Sequence, residues 1–127
     1  MAHSSNHTEQ QADAVQVMTQ AVSKAATLMG LNKATLAKIL GISPASAGRM
    51  YSGAYLLNYN AKEWDMARLL VRLFRSLDAI MAGDEQALRS WLLSPNHALN
   101  AKPIELVTNA AGLVHTLDYV DAYRARI

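Results

Sequence analysis

With 127 residues and a net charge of +2, the chain is sized for one cooperative unit, or two small helical modules sharing a core, rather than two independent domains. Its hydrophobic share of 51% includes one Phe and no Cys; Ala, Leu, Met and Val carry it, which favours an all-α fold. The missing cysteines exclude disulfides and thiolate metal sites and make a reducing cytoplasm the expected compartment, and no apolar run approaches the roughly 20 residues of a membrane helix.

Segment 1–12 is polar, without a signal-peptide core, and reads as a disordered tail. A first helix is expected over 13–29, where Val15, Val17, Met18, Val22, Ala25, Ala26 and Met29 recur at helical spacing and Gly30 ends the run. A second, over 33–40, has Asn32 as N-cap and stops at Gly41. A third has Ser43 as N-cap and Pro44 at its first position, where the missing N–H costs nothing, and runs to Tyr51.

The segment KATLAKILGISPASAGRMY has the order of residues that two helices crossing at a tight turn require. Ala37 is small where the helices approach, Gly41 turns the chain, and Leu36, Leu40, Ile42, Ala47 and Met50 point inward. The helix-turn-helix unit is assigned to 13–60. From Ala14 to Lys62 there is no acid, while Lys24, Lys33, Lys38, Arg49 and Lys62 are basic; from Glu63 onward eight acids face seven bases. A phosphate-binding surface needs such an asymmetry, because basic groups release condensed counterions and an interspersed acid would repel the backbone. Duplex DNA is the expected ligand. Arg49 is the one side chain on the second helix able to contact guanine in bidentate fashion, with Ser43 and Ser46 beside it and Lys33, Thr35 and Lys38 directed at phosphates. Tyr51 and Tyr55 are open between a phosphate contact and packing at the core edge. An ordinary helical hairpin is the plainer alternative for the whole segment.

A central helix follows within 61–82. Asp65, Arg68, Arg72, Arg75 and Asp78 form one polar stripe, which reads as a solvated face paired along its own helix, and apolar residues cover the remaining circumference. So much apolar surface calls for packing against both halves of the chain and against a second subunit, making a homodimer. Asp84 caps a helix through Leu92, a loop breaks at Pro95, Pro103 opens a helix to about 110, and a last helix runs from Leu113, after Gly112, to Arg126. His97 and His115 lack neighbours at ligand spacing, His3 and His7 lie in the tail, and no nucleophile constellation or Gly-rich phosphate loop occurs. Neither a cofactor nor an enzymatic activity is expected.

The stretch 83–127, with Gly83-Asp84, Trp91-Leu92, Pro95-Asn96, Ala98-Leu99, Pro103, Glu105-Leu106, Thr108 and Gly112 in that order, resembles the toxin-binding domain of the Xre/MbcA/ParS antitoxins. The resemblance implies a cognate RES-domain toxin that consumes NAD, an antitoxin domain that covers the toxin's active-site entrance, and repression of the shared operon by the N-terminal half. Toxin-contacting residues implied by it are Pro95, Asn96, Tyr119, Tyr123, Arg124 and Arg126, aromatic and Arg side chains being enriched in interface hot spots. For Tyr119 a core role, and for the two arginines simple complementation of a helix C-terminus, stay open. The chain stops at Ile127, so blocking is expected from the helix end rather than from a long tail. The alternatives are a stand-alone dimeric transcriptional regulator whose C-terminal half only dimerises, and an interaction module with a degenerate helix-turn-helix.

Overall fold

The structure, a computed structural model, describes residues 2–127, with side chains described from Thr8 onward; Met1 and the His3 and His7 side chains lie outside that range. Among the described residues seven helices follow one another: α1 (Ala2–Leu28), α2 (Lys33–Leu40), α3 (Pro44–Tyr51), α4 (Lys62–Ile80), α5 (Glu85–Leu93), α6 (Pro103–Leu106) and α7 (Ala110–Arg126). Among the described residues the only strand-like pairing is a single bridge between Asn96 and Ala101.

Local chemistry accounts for most of the starts. Asn32 Oδ1 accepts from the Thr35 amide at 2.8 Å, Ser43 Oγ from Ser46 at 3.0 Å, Asp84 Oδ1 from Ala87 at 3.0 Å and Asn109 Oδ1 from Gly112 at 2.8 Å. Each satisfies an amide that the first helical turn leaves without a partner. α4 begins at Ala61 with no side-chain cap, but Glu63 and Asp65 in its first turn complement the positive end of the helix.

Two boundaries differ from those expected. The segment 1–12, read as a disordered tail, is helical from Ala2 onward: it contains no Gly or Pro, so nothing interrupts a helix propagating outward from the packed end of α1. The sixth helix is a single turn, and Gly112 lies inside the first turn of α7 instead of ending its predecessor. The glycine is needed for proximity, since a Cβ at position 112 would overlap the Leu106 carbonyl group at the end of α6.

α4 is the axis of the molecule. It packs against α1, α2, α5 and α7, while α2 packs on α3 and α6 bridges α5 and α7. Leu70, Leu73 and Leu77 of α4 are almost wholly buried, as are Leu36, Leu40 and Met50 from the N-terminal half and Leu88, Leu92 and Leu113 from the C-terminal half. These side chains belong to one continuous apolar cluster. Buried polar groups are few and satisfied: Thr19 Oγ1 donates to the Val15 carbonyl at 2.7 Å and accepts from the Leu57 amide at 3.1 Å, fastening the loop after α3 onto α1.

Replacing Gly112 with Ala is expected to force α6 and α7 apart and to cost about 3 kcal/mol, the upper end for overpacking, measured as a lower denaturant midpoint with an unchanged slope. A midpoint equal to wild type would show that the α6–α7 junction absorbs a methyl group freely.

Candidate functional site

α2 and α3 form the helix-turn-helix. Gly41 takes φ of 73° between them, and its amide and that of Ile42 both donate to the Ala37 carbonyl, at 2.8 and 3.0 Å. Leu36, Ala37, Leu40, Ala47 and Met50 are buried as the spacing requires. The opposite face of α3 carries a chain of hydrogen bonds: Arg49 Nη2 donates to Ser46 Oγ at 2.9 Å, Ser43 Oγ donates to Ser46 Oγ at 3.0 Å, and the Ser46 amide donates to Ser43 Oγ at 3.0 Å. The guanidinium of Arg49 is therefore steadied from one side, leaving its other donors open to solvent. Fewer rotamers have to be frozen when such a group meets a base.

The other expected DNA-facing residues divide into two groups. Lys33 and Lys38 are exposed, and the Lys33 stem passes beside Gly48, whose added Cβ would meet Lys33 Cδ at 3.6 Å. That places the Lys33 stem beside α3 at Gly48. Thr35 instead lines a cavity of about 160 Å³ with Arg89, Leu92, Leu93 and Ile104, on the side where α5 and α6 approach. The two tyrosines spend their hydroxyls inside the molecule. Tyr51 donates to the Leu31 carbonyl at 2.6 Å, and burial pushes its phenol above the usual range. Tyr55 donates to Glu63 Oε2 at 2.6 Å, and the same carboxylate oxygen accepts the Asn58 amide at 2.9 Å. Core-edge packing is thus what the structure gives for both tyrosines.

In the C-terminal half, α4, α5 and α7 enclose an apolar groove of about 380 Å³ lined by Leu77, Ile80, Met81, Trp91, Tyr119, Val120 and Tyr123. Tyr123 is 46% exposed at its mouth, whereas Tyr119 is half-buried against the core. Asn96 closes its own loop, accepting the Leu99 amide through Oδ1 at 3.0 Å and pairing with Ala101 through its backbone, and Pro95 lies exposed just before that pairing. Arg124 turns back to α4, its Nη1 3.4 Å from Ser76 Oγ, while Arg126 lies exposed in the last turn.

The polar stripe of α4 is not paired along its own helix. Arg72 bonds Asp121 of α7 at 3.1 Å, and Ser76 donates to the other oxygen of that carboxylate at 3.0 Å. Sequence spacing favoured Asp65 and Asp78 as partners; the packing of α7 against α4 brings an acid from 49 residues away instead. Arg89, Glu63 and Asp121 carried no local signal, because each acts on a segment distant in sequence or through a loop.

The fold and these two faces define a helix-turn-helix protein whose recognition unit shares one central helix with a small domain built around an open apolar groove. Residues 10–72 match the family described as the antitoxin Xre-like helix-turn-helix domain, and residues 76–126 match the antitoxin Xre/MbcA/ParS C-terminal toxin-binding domain. The chain belongs to the Xre-type antitoxins. Comparison with curated proteins gives no match. The seam between the two matched regions falls within α4. No group of His or acidic side chains suited to a metal ion occurs among the described residues, and no described helix is long and apolar enough to cross a membrane.

Arg49→Ala is expected to weaken binding to a preferred duplex about tenfold while changing binding to random duplex much less, as read by anisotropy titrations on both. Ser46→Ala, which only frees the guanidinium, should cost less than Arg49→Ala; equal affinities for all three proteins would remove α3 from the reading role. Alkaline stability is a second readout. The Tyr55 phenol is pushed from 10.0 up to about 12 by burial, by its bond to Glu63 and by that carboxylate's charge, against a smaller opposing effect of Arg49. The folded state therefore holds this proton more tightly than the unfolded chain, so the contribution is complete below pH 10 and is lost as pH rises toward 12. Thermal unfolding of Tyr55→Phe should fall less steeply with pH across that window than that of wild type.

Proposed function

We propose that this antitoxin neutralises a RES-domain, NAD-consuming toxin by seating its C-terminal domain over the toxin's active-site entrance, and that as a homodimer it represses the operon encoding both proteins. The observation that carries the reading is the tandem match, a DNA-binding region and a toxin-binding region meeting inside α4. In this reading the Trp91, Tyr119 and Tyr123 groove receives an apolar anchor of the toxin, Pro95 and Asn96 form a neighbouring edge, and Arg124 and Arg126 supply charge at the end of α7. An open apolar pocket lined by Trp91, Tyr119 and Tyr123 is the kind of surface in which a few side chains dominate affinity.

DNA recognition in this reading uses Arg49 with Ser43 and Ser46 at the bases and Lys33 and Lys38 toward phosphates, while Thr35 faces α5 and α6. One arginine per recognition helix is a small reading set. A two-fold dimer doubles it by presenting two helices to a palindromic site, which explains why repression would require the homodimer.

Expression of the gene product encoded beside this antitoxin is expected to arrest growth and deplete NAD, and co-expression of the antitoxin to restore both. Tyr123→Glu should abolish rescue through a loss of about 2 kcal/mol, roughly thirtyfold in Kd, while leaving binding to the upstream duplex intact. A harmless neighbour, or full rescue by Tyr123→Glu, would contradict the reading.

A further inference from the structure

The last turn of α1 contains no basic residue of its own. Its terminal carbonyls are met by a residue of the toxin-binding domain: Arg89 of α5 donates from Nε to the Leu28 carbonyl at 3.0 Å and from Nη2 to the Thr27 carbonyl at 3.0 Å. A cation in that position satisfies acceptors that a helix end leaves free and complements the negative end of its dipole. The fit is close. A Cβ on Gly30 would come within 3.2 Å of Arg89 Cδ and Nε, so the arginine stem lies directly on the corner that follows α1.

The same corner is gripped from the recognition helix. Tyr51, the last residue of α3, donates to the Leu31 carbonyl at 2.6 Å, and the next residue, Asn32, caps α2 through the Thr35 amide. Segment 27–32 thus has a hand from α5 at one end and hands from α3 and α2 at the other. Met29 and Leu31 anchor the corner in the core, and the 160 Å³ cavity beside Arg89 and Thr35 lies against it.

We infer that Arg89 is a positioning residue for DNA binding: it fixes the 27–32 corner from the toxin-binding domain and, through the Tyr51–Leu31 hydrogen bond, sets the placement of α3. The inference rests on the DNA-binding part of the proposed function. Arg89 itself need touch no DNA, which separates it from Lys33, Lys38 and Arg49.

The test is a double-mutant cycle with Arg89→Ala, Tyr51→Phe and the double variant of the full chain. Binding is measured on a duplex taken from the region upstream of its own gene, over a range of salt, with amide hydrogen exchange of the free proteins alongside. Each single variant is expected to bind about fivefold more weakly, and the double variant no more weakly than the worse single, because both act through one corner. The salt dependence should keep its wild-type slope, whereas loss of a phosphate contact would lower it by about one. Exchange should quicken roughly tenfold both at 28–32 and at the end of α3 in Arg89→Ala, and Val107→Ala, a core change elsewhere, should leave upstream-duplex affinity unchanged. Additive losses, a reduced slope for Arg89→Ala, or exchange that quickens only at the end of α1 would each overturn the inference. Should Arg89→Ala fail to fold, Arg89→Gln serves in the same cycle. Should wild type not prefer the upstream duplex, the proposed repression fails, and the exchange pattern alone still decides whether Arg89 holds α3.

Discussion

The burial of α4 against four other helices is the constraint on which the remaining structure depends. A helix that packs on one neighbour needs a narrow apolar stripe; α4 must satisfy α1, α2, α5 and α7 with one wide apolar face. Leu70, Leu73 and Leu77 do so with almost no exposure, and the flanking Leu69, Phe74 and Ile80 pack against the same core from partly buried positions. The matched DNA-binding and toxin-binding regions end and begin within this helix. They are therefore joined by a packed rod instead of a flexible tether, and their separation and mutual rotation follow from helical geometry.

The two halves distribute polar chemistry in opposite ways. On α3 the guanidinium of Arg49 rests on Ser46 and faces outward, in a stretch without acids. On the C-terminal side Arg72, Ser76, Asp121 and Arg124 engage one another across the α4–α7 contact. What that side leaves open is apolar, the groove between Trp91 and Tyr123. A long-range electrostatic surface suits a polyanion, and a concave aromatic surface suits a folded protein partner.

Where local chemistry decides, the fold is legible in the sequence. Asn32, Gly41, Ser43 and Pro44 bracket α2 and α3 because caps and turns depend on a few adjacent residues. Where tertiary contact decides, it is not. Gly112 reads as a stop signal in isolation, yet its role is to let α7 approach the Leu106 carbonyl group, a requirement visible only once both helices are placed. The Arg72 pairing is similar: acids at helical spacing were available, but Asp121 is held by packing at the right height and Asp65 and Asp78 are not hydrogen-bonded to it. Among the candidate site residues, the exposure of Arg49 on α3 was legible from the helical spacing, whereas its bond to Ser46 was not. Nor was the placement of Thr35, since its direction depends on where α5 and α6 come to lie.

The contacts that tie the halves together differ in strength, and the difference has a mechanical consequence. The apolar cluster along α4 is continuous, so opening it would expose many side chains at once. The Arg89 bonds to the end of α1 lie at the surface, where competition from water limits a charged hydrogen bond to a modest net contribution. A connection made only of the first kind would transmit nothing short of unfolding. Adding the second kind gives the 27–32 corner a contact that can loosen while the core stays closed. The fold thus separates permanence, which α4 provides, from adjustability, which resides at the one corner shared by α1, α2, α3 and α5.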